Sequence, residues 1–272
     1  MKFSRQTTLR SQATVTGVGV HSGVPVNLTL GPAPVDAGFV FVRTGLDGCD
    51  REVQASAESV IATEFATVLG DRDGPLVSTA EHVLAALRGM GVDNATIELD
   101  GPEVPIMDGS AAAFVAAIDE AGIVAQSALR RFIQVLKPVQ VRIGDSFGEL
   151  RPYAAGFRAE VEIDFANPVI GRQSYMLDLN PERFRREISR ARTFGCMNDV
   201  ARLWSAGFAL GAFRSVRGGH KLNHAVLTAL MADRSAWRVI EAETARRSRG
   251  HAEVGSGMVG GMVAPAYGPD VS

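Results

Sequence analysis

Cysteine is scarce. The 272 residues hold two, Cys49 and Cys196, too few for a disulfide framework or a cysteine-built zinc site. Their spacing also gives no support to a thiol nucleophile. Charge of one sign is not in excess: 28 Lys and Arg stand against 30 Asp and Glu, a net −2. That balance argues against a protein whose business is gripping nucleic acid or an anionic membrane surface. No uninterrupted apolar run is long enough to span a bilayer. Met1-Lys2-Phe3-Ser4-Arg5-Gln6 has no apolar stretch behind it, so no signal peptide is expected and a soluble cytoplasmic chain is the default. Gly-rich phosphate loops of Walker or Rossmann form are absent, as is a Gly-x-Ser-x-Gly nucleophile elbow. What remains is an ordinary globular composition, 46% hydrophobic and 21% charged, in a chain long enough to bury a core.

The first third alternates like a sheet. Val24, Val26, Leu28 and Leu30 face one way, with Pro25, Asn27 and Thr29 the other. Thr14–Gly23 is not a clean strand, because Gly17, Gly19 and Gly23 point to turns and close backbone approach. A helix reads from Ser78 to about Met90, with Val83, Leu84 and Leu87 on one stripe. Ala95, Ile97 and Leu99 then mark a short strand, and Asp108-Gly109-Ser110 opens an alanine-rich helix through Phe114 and Ile118.

The pattern breaks around Ile123–Arg130, and a second strand-rich run begins. Val139, Val141 and Ile143 alternate up to a Gly144-Asp145 turn. Phe157, Ala159, Val161, Ile163 and Phe165 form the clearest half-buried strand. Pro181 suits the first turn of a helix through Phe184 and Ile188, on which Arg183, Arg186 and Arg190 would form a solvated face. A last helix starts near His220 with Leu222, Val226, Leu227 and Leu230, and from about residue 250 the chain is Gly-rich. Strands grouped with helices, twice over, predict an α+β protein of two domains, 1–126 and 127–272, each a small sheet packed with helices.

Two places could carry chemistry. Glu81-His82 stands near the start of the first helix. Ser78-Thr79-Ala80-Glu81 also fits a capping box, in which Glu81 reaches back to the Ser78 N–H. The other reading makes His82 a nitrogen ligand and Glu81 the base for a metal-bound water. His220 and His224, at i and i+4, share a helix face and could reach one ion, or could sit on a solvated first turn.

Several blocks read together resemble the UDP-3-O-acyl-N-acetylglucosamine deacetylase (LpxC) family, the zinc amidases of lipid A synthesis in Gram-negative bacteria. They are Thr16-Gly17-Val18-Gly19-Val20-His21-Ser22-Gly23, Leu30-Gly31-Pro32-Ala33-Pro34, Ser78-Thr79-Ala80-Glu81-His82, Val92-Asp93-Asn94-Ala95, and Pro102-Glu103-Val104-Pro105-Ile106-Met107-Asp108-Gly109-Ser110. In the second half come Ile163-Asp164-Phe165, Ile188-Ser189-Arg190-Ala191-Arg192-Thr193-Phe194-Gly195, Gly219-His220, Leu222-Asn223 and Ala236-Trp237. The resemblance implies two domains facing each other across a central cleft and a UDP-linked acylated glucosamine as substrate. It makes Glu81 the general base and His82 a zinc ligand. Thr193 would stabilise the oxyanion and His220 would be the general acid. Phe165 would stack on the uracil, with Asp164 beside it.

The departures are as informative. The family carries its other two zinc ligands in a His-Lys-x-x-x-Asp segment between the Arg-Thr-Phe-Gly and Gly-His blocks. Here the chain runs from Leu210 straight into Gly211-Ala212-Phe213-Arg214-Ser215-Val216-Arg217-Gly218-Gly219-His220, so several dozen residues are missing and the second domain is truncated. A catalytic zinc usually takes three protein ligands. Ser146 also stands where the family commonly has a basic residue near the diphosphate. The expectation is a pseudoenzyme that still binds a nucleotide sugar, or a protein partner in lipid A synthesis. The alternative is an active zinc deacetylase with a metal site rebuilt from His82, His220 and His224.

Overall fold

The computed structural model describes residues 4–46, 49–166, 170–193, 203–205 and 207–211. His220, His224 and the helix expected near them lie outside the described residues, as does the Gly-rich tail.

The first strands follow the alternation in the sequence. β1 (Arg5–Leu9), β2 (Ala13–Val18), β3 (Pro25–Pro32), β4 (Phe39–Leu46) and β5 (Cys49–Gln54) are followed by the short β6 (Val60–Ala62), β7 (Val68–Asp71) and β8 (Gly74–Val77). β2 to β5 with β9 (Ala95–Leu99) form a five-stranded sheet in the order β2-β3-β9-β4-β5, beside the three-stranded sheet β6-β7-β8. The β4–β9 pairing is parallel. Val26, Leu28 and Leu30 of β3 are buried together with Phe41, Ile97 and Leu99. On the opposite face Thr14 meets Thr29 and Thr16 meets Asn27 by side-chain hydrogen bonds, both at 2.8 Å. Two expectations change. Val24 precedes β3 and is 43% exposed, because the strand begins at Pro25. The glycine-rich stretch is a regular strand as far as Val18, paired along its length with β3.

Two helices close the core: α1 (Glu81–Gly89) and α2 (Ala112–Ala121), which pack on each other while α2 lies on β2 and β3. Val83, Ala86 and Leu87 of α1 and Phe114, Val115 and Ile118 of α2 are buried, as their helical spacing requires. Gly122, with φ +71°, ends α2, and β10 (Ile123–Leu129) returns antiparallel to β1. This strand occupies the stretch where the sequence pattern breaks. Residue 126, the expected domain boundary, therefore falls within a strand. Gln126 itself accepts from Asn94 at 2.7 Å and donates to the Ala33 carbonyl at 2.9 Å.

Beyond it, β11 (Val139–Ile143) and β12 (Ser146–Leu150) form a hairpin turned at Gly144, whose φ is +59°. A second hairpin joins β13 (Arg158–Asp164) to β14 (Arg172–Asp178). Alternation is present but burial is not: Ile143 is 78% and Val161 58% exposed. The half-buried strand read from the sequence keeps partial cover at Ala159 and Ile163 and loses it at Val161. Arg158 and the Tyr153 hydroxyl hold the Asp178 carboxyl down at about 2. A carboxyl depressed in the folded state contributes stability above its ordinary value and loses it as pH falls through the folded one. The Asp178 carboxyl carbon should accordingly titrate near pH 2 in an NMR experiment, and Arg158→Ala should raise it toward the ordinary carboxylate range.

The last described helical segment is α3 (Pro181–Arg183), which runs on through a wider turn at Phe184–Ile188. Asn180 caps it by accepting from the Arg183 N–H, and Pro181 sits in its first turn. Arg183 and Arg186 lie on an exposed, ion-paired face with Glu182 and Glu187, the solvated face that the arginine spacing implies. Phe184 and an Arg185–Asp119 ion pair dock the segment on the first core. A Cβ at Gly89 would lie 2.4 Å from the Phe184 ring, so Gly89→Ala should cost about 1–3 kcal/mol through overpacking. Urea unfolding of the variant measures it.

Candidate active site

Ser78 forms an isolated parallel bridge with Glu103: its N–H donates to the Pro102 carbonyl, and its carbonyl accepts from the Val104 N–H, both at 3.0 Å. Thr79 then turns into the left-handed region, φ +60°, with its side chain buried. For a β-branched residue this conformation costs on the order of 1–3 kcal/mol. The turn delays the helix, so α1 opens at Glu81 with Ala80 as its cap and no side-chain capping bond. The capping-box reading is thereby corrected. Glu81 reaches sideways, accepting the Thr67 backbone N–H at 3.0 Å, and not back to Ser78.

His82 follows on the same helix start, half-buried. Burial pushes its imidazole below the usual value, against the pull of the Glu81 and Asp108 charges. The neutral ring so favoured is the form that can ligate a metal or accept a proton. Asp108 belongs to the loop before α2. Its carboxylate accepts from the Ser110 N–H and hydroxyl and from Arg192 at 2.9 Å. Beside Arg192, the Thr193 N–H donates to the Gly109 carbonyl at 2.9 Å. His82 and Thr193, far apart in the chain, therefore meet at the 108–110 loop.

A cavity of about 620 Å³, within the range of small-molecule sites, is lined by Ser78 and Glu103 but not by Glu81, His82 or Thr193. Ser78 and Ala66 form one wall, His21, Ser22 and Glu64 supply polar groups, and Phe65 and Phe208 flank it. The His21 ring meets Phe208 edge-on at 6.0 Å between centroids, and its Nδ1 is buried without a hydrogen-bond partner among the described residues. Backbone bonds from Leu210 to the His21 carbonyl and from Gly211 to the Val20 carbonyl fasten this wall.

The sequence model described as UDP-3-O-acyl N-acetylglycosamine deacetylase (LpxC) matches residues 6–214. The chain belongs to this family. Its relatives include the UDP-3-O-acyl-N-acetylglucosamine deacetylases of Brucella ovis and Brucella canis. Each is 41% identical over 285 residues, covering 87% of this chain and 99% of the relative. The Brucella melitensis biotype 2 protein of the same name is 40% identical over the same shares. An alignment of 285 residues that takes in 87% of a 272-residue chain leaves several dozen positions of the relative without a counterpart here. The shortfall is internal to the matched stretch.

LpxC-family enzymes are generally zinc-dependent, and the described residues do not fit that ion. No group of three His, Cys, Asp or Glu side chains among them could hold a metal. Glu81 is engaged by Thr67 and Asp108 by Ser110 and Arg192, and no second and third ligand join His82 among the described residues. Of the remaining candidate residues, Asp164 ends β13 and Phe165 follows it, half-exposed, at the turn of the second hairpin. No helix among the described residues is long and apolar enough to cross a membrane.

Sequence reasoning assigned no role to Glu103, Asp108, His21 or Phe208. Only the fold shows the constraint on Glu103: Gly19 has no room for a Cβ, which would lie 2.3 Å from its carboxylate.

Proposed function

We propose that this chain is a nucleotide-sugar-binding LpxC homologue in which amide hydrolysis is lost or strongly weakened. The observation that carries the reading is the internal shortfall against relatives that it otherwise matches nearly end to end. In sequence, the shortfall falls where the family's His-Lys-x-x-x-Asp segment belongs, between Leu210 and the Gly219-His220 block. The ligand would be a UDP-linked, 3-O-acylated glucosamine, with Phe165 stacking on the uracil and Asp164 beside it. Glu81, Thr193 and His220 hold the positions of base, oxyanion stabiliser and acid. A role in lipid A synthesis would then be exerted through binding, of the sugar nucleotide or of a protein partner.

Metal analysis of the purified chain, followed by deacetylase assays with and without added zinc, tests this. The expected result is far less than one zinc per chain, no turnover, and saturable binding of the UDP-sugar. One zinc per chain, with turnover abolished by Glu81→Ala, would overturn it and favour a site rebuilt from His82, His220 and His224. Aromatic stacking on a base contributes about 1–3 kcal/mol. Phe165→Ala should therefore weaken binding of the UDP-sugar by roughly 10- to 100-fold in calorimetry.

A further inference from the structure

Glu103 is a buried carboxylate, 2% exposed, in a stretch that bridges to Ser78 through Glu103 and to Gly19 through Pro105. No lysine or arginine pairs with it among the described residues. Three donors converge on it instead. Its Oε1 accepts from the His21 N–H at 2.9 Å and the Thr79 hydroxyl at 2.8 Å, and its Oε2 accepts from the Ser22 N–H at 2.8 Å. Gly19 closes over it so tightly that any side chain there would strike the carboxylate.

We infer that Glu103 is the positioning residue of the Glu81–His82 pair. The Thr79 hydroxyl is its handle, because Thr79 holds a backbone conformation that a β-branched residue adopts only when its surroundings enforce it. That conformation sets where α1 begins, and so where Glu81 and His82 project. The same carboxylate fixes the amides of His21 and Ser22, two residues of the cavity wall. One buried anion thus ties the wall of the cavity to the functional pair. Buried acceptors with matched donors are costly to disturb, since each donor left behind loses its water as well as its partner. Glu103 also lines the cavity, and its bond to the Thr79 hydroxyl is its link to the Glu81–His82 pair.

The inference rests on reading Glu81 and His82 as a functional pair, but its test needs neither turnover nor zinc. In the full chain without metal, the His82 ring cross-peaks and the Thr67 amide, which donates to Glu81, report the geometry directly. The His82→Gln spectrum supplies the ring assignment. Glu103→Gln should displace both signals by several linewidths and speed exchange of the Thr67 amide roughly tenfold or more. Thr79→Val should reproduce the shifts, and Thr79→Ser, which keeps the hydroxyl, should restore the parent positions. Ile118→Val, a destabilising change in the α2 core, should leave both signals in place. Unmoved signals in a folded Glu103→Gln protein, or equal shifts in Ile118→Val, would overturn the inference. Should Glu103→Gln fail to fold, the Thr79→Val and Thr79→Ser pair decides it by the same criteria. A chain that proves to be an active zinc enzyme would refute the proposed function and leave these readouts as they are.

Discussion

Inserting a segment that carries the family's His-Lys-x-x-x-Asp run between Leu210 and Gly211 is expected to bring in one zinc per chain. Hydrolysis of the UDP-3-O-acyl-N-acetylglucosamine amide should rise by about 10³-fold or more. The size follows from the chemistry at stake: a bound Lewis acid supplies several kcal/mol of transition-state stabilisation, and each 1.36 kcal/mol is about tenfold in rate. His82, within reach of the Asp108 charge, and Thr193, bonded to the Gly109 carbonyl, already meet at the 108–110 loop with Glu81 next to His82 in the chain, so the insertion has a partial site to complete. Its entry point is defined as well, since the Leu210 and Gly211 amides are bonded to the His21 and Val20 carbonyls. The control carries the same insertion with its His and Asp changed to Ala, and should stay at the level of the parent chain. A parent chain that hydrolyses the amide as fast as the inserted one would dispose of the proposed loss of function.

The first half of the fold was legible because its elements obey one period each. Val26, Leu28 and Leu30 alternate and are buried, and Phe114 and Ile118 recur at helical spacing and are buried. Legibility failed where tertiary contacts override local preference. Ser78-Thr79-Ala80-Glu81 has the letters of a capping box, yet the Glu103 carboxylate draws Thr79 into a turn and the Thr67 amide claims Glu81. β10 went unread because Ile123–Leu129 is only half-buried on either side, with Ile123, Val124, Gln126 and Ala128 all partly exposed; its partner β1 lies more than a hundred residues upstream. For the site, the identity of Glu81, His82 and Thr193 came from the motif resemblance, and spacing alone left the first two ambiguous. Their supports, Asp108 and Glu103, were invisible because a hydrogen-bond partner across the fold leaves no local period. Val139, Val141 and Ile143 show the converse. Their alternation predicted a strand correctly and its burial incorrectly, since burial depends on what packs against the face.

That contrast sets the second large effect. Phe41, at the heart of the five-stranded sheet, and Phe114, on the inner face of α2, are fully buried in one continuous core. Phe41→Ala and Phe114→Ala should each cost about 3–5 kcal/mol, the transfer energy of the ring plus the cavity it leaves. Total stability of a domain is about 5–15 kcal/mol, so either change removes a large share of it and both together should leave the chain unfolded. Ile143→Thr removes an apolar group of similar character from a hairpin face that is 78% exposed, and should change stability by no more than about 0.5 kcal/mol. Urea unfolding of the three single variants measures all of this in one buffer. The comparison locates the cohesion of the molecule: if it resides in the core shared by β3, β4, β9, α1 and α2, the phenylalanines dominate. A loss at Ile143 comparable to that at Phe41 would mean that the β11–β12 hairpin is sealed by another part of the chain or by a second molecule. In that case its apolar alternation would be a packed interface and not a face left open by the missing segment.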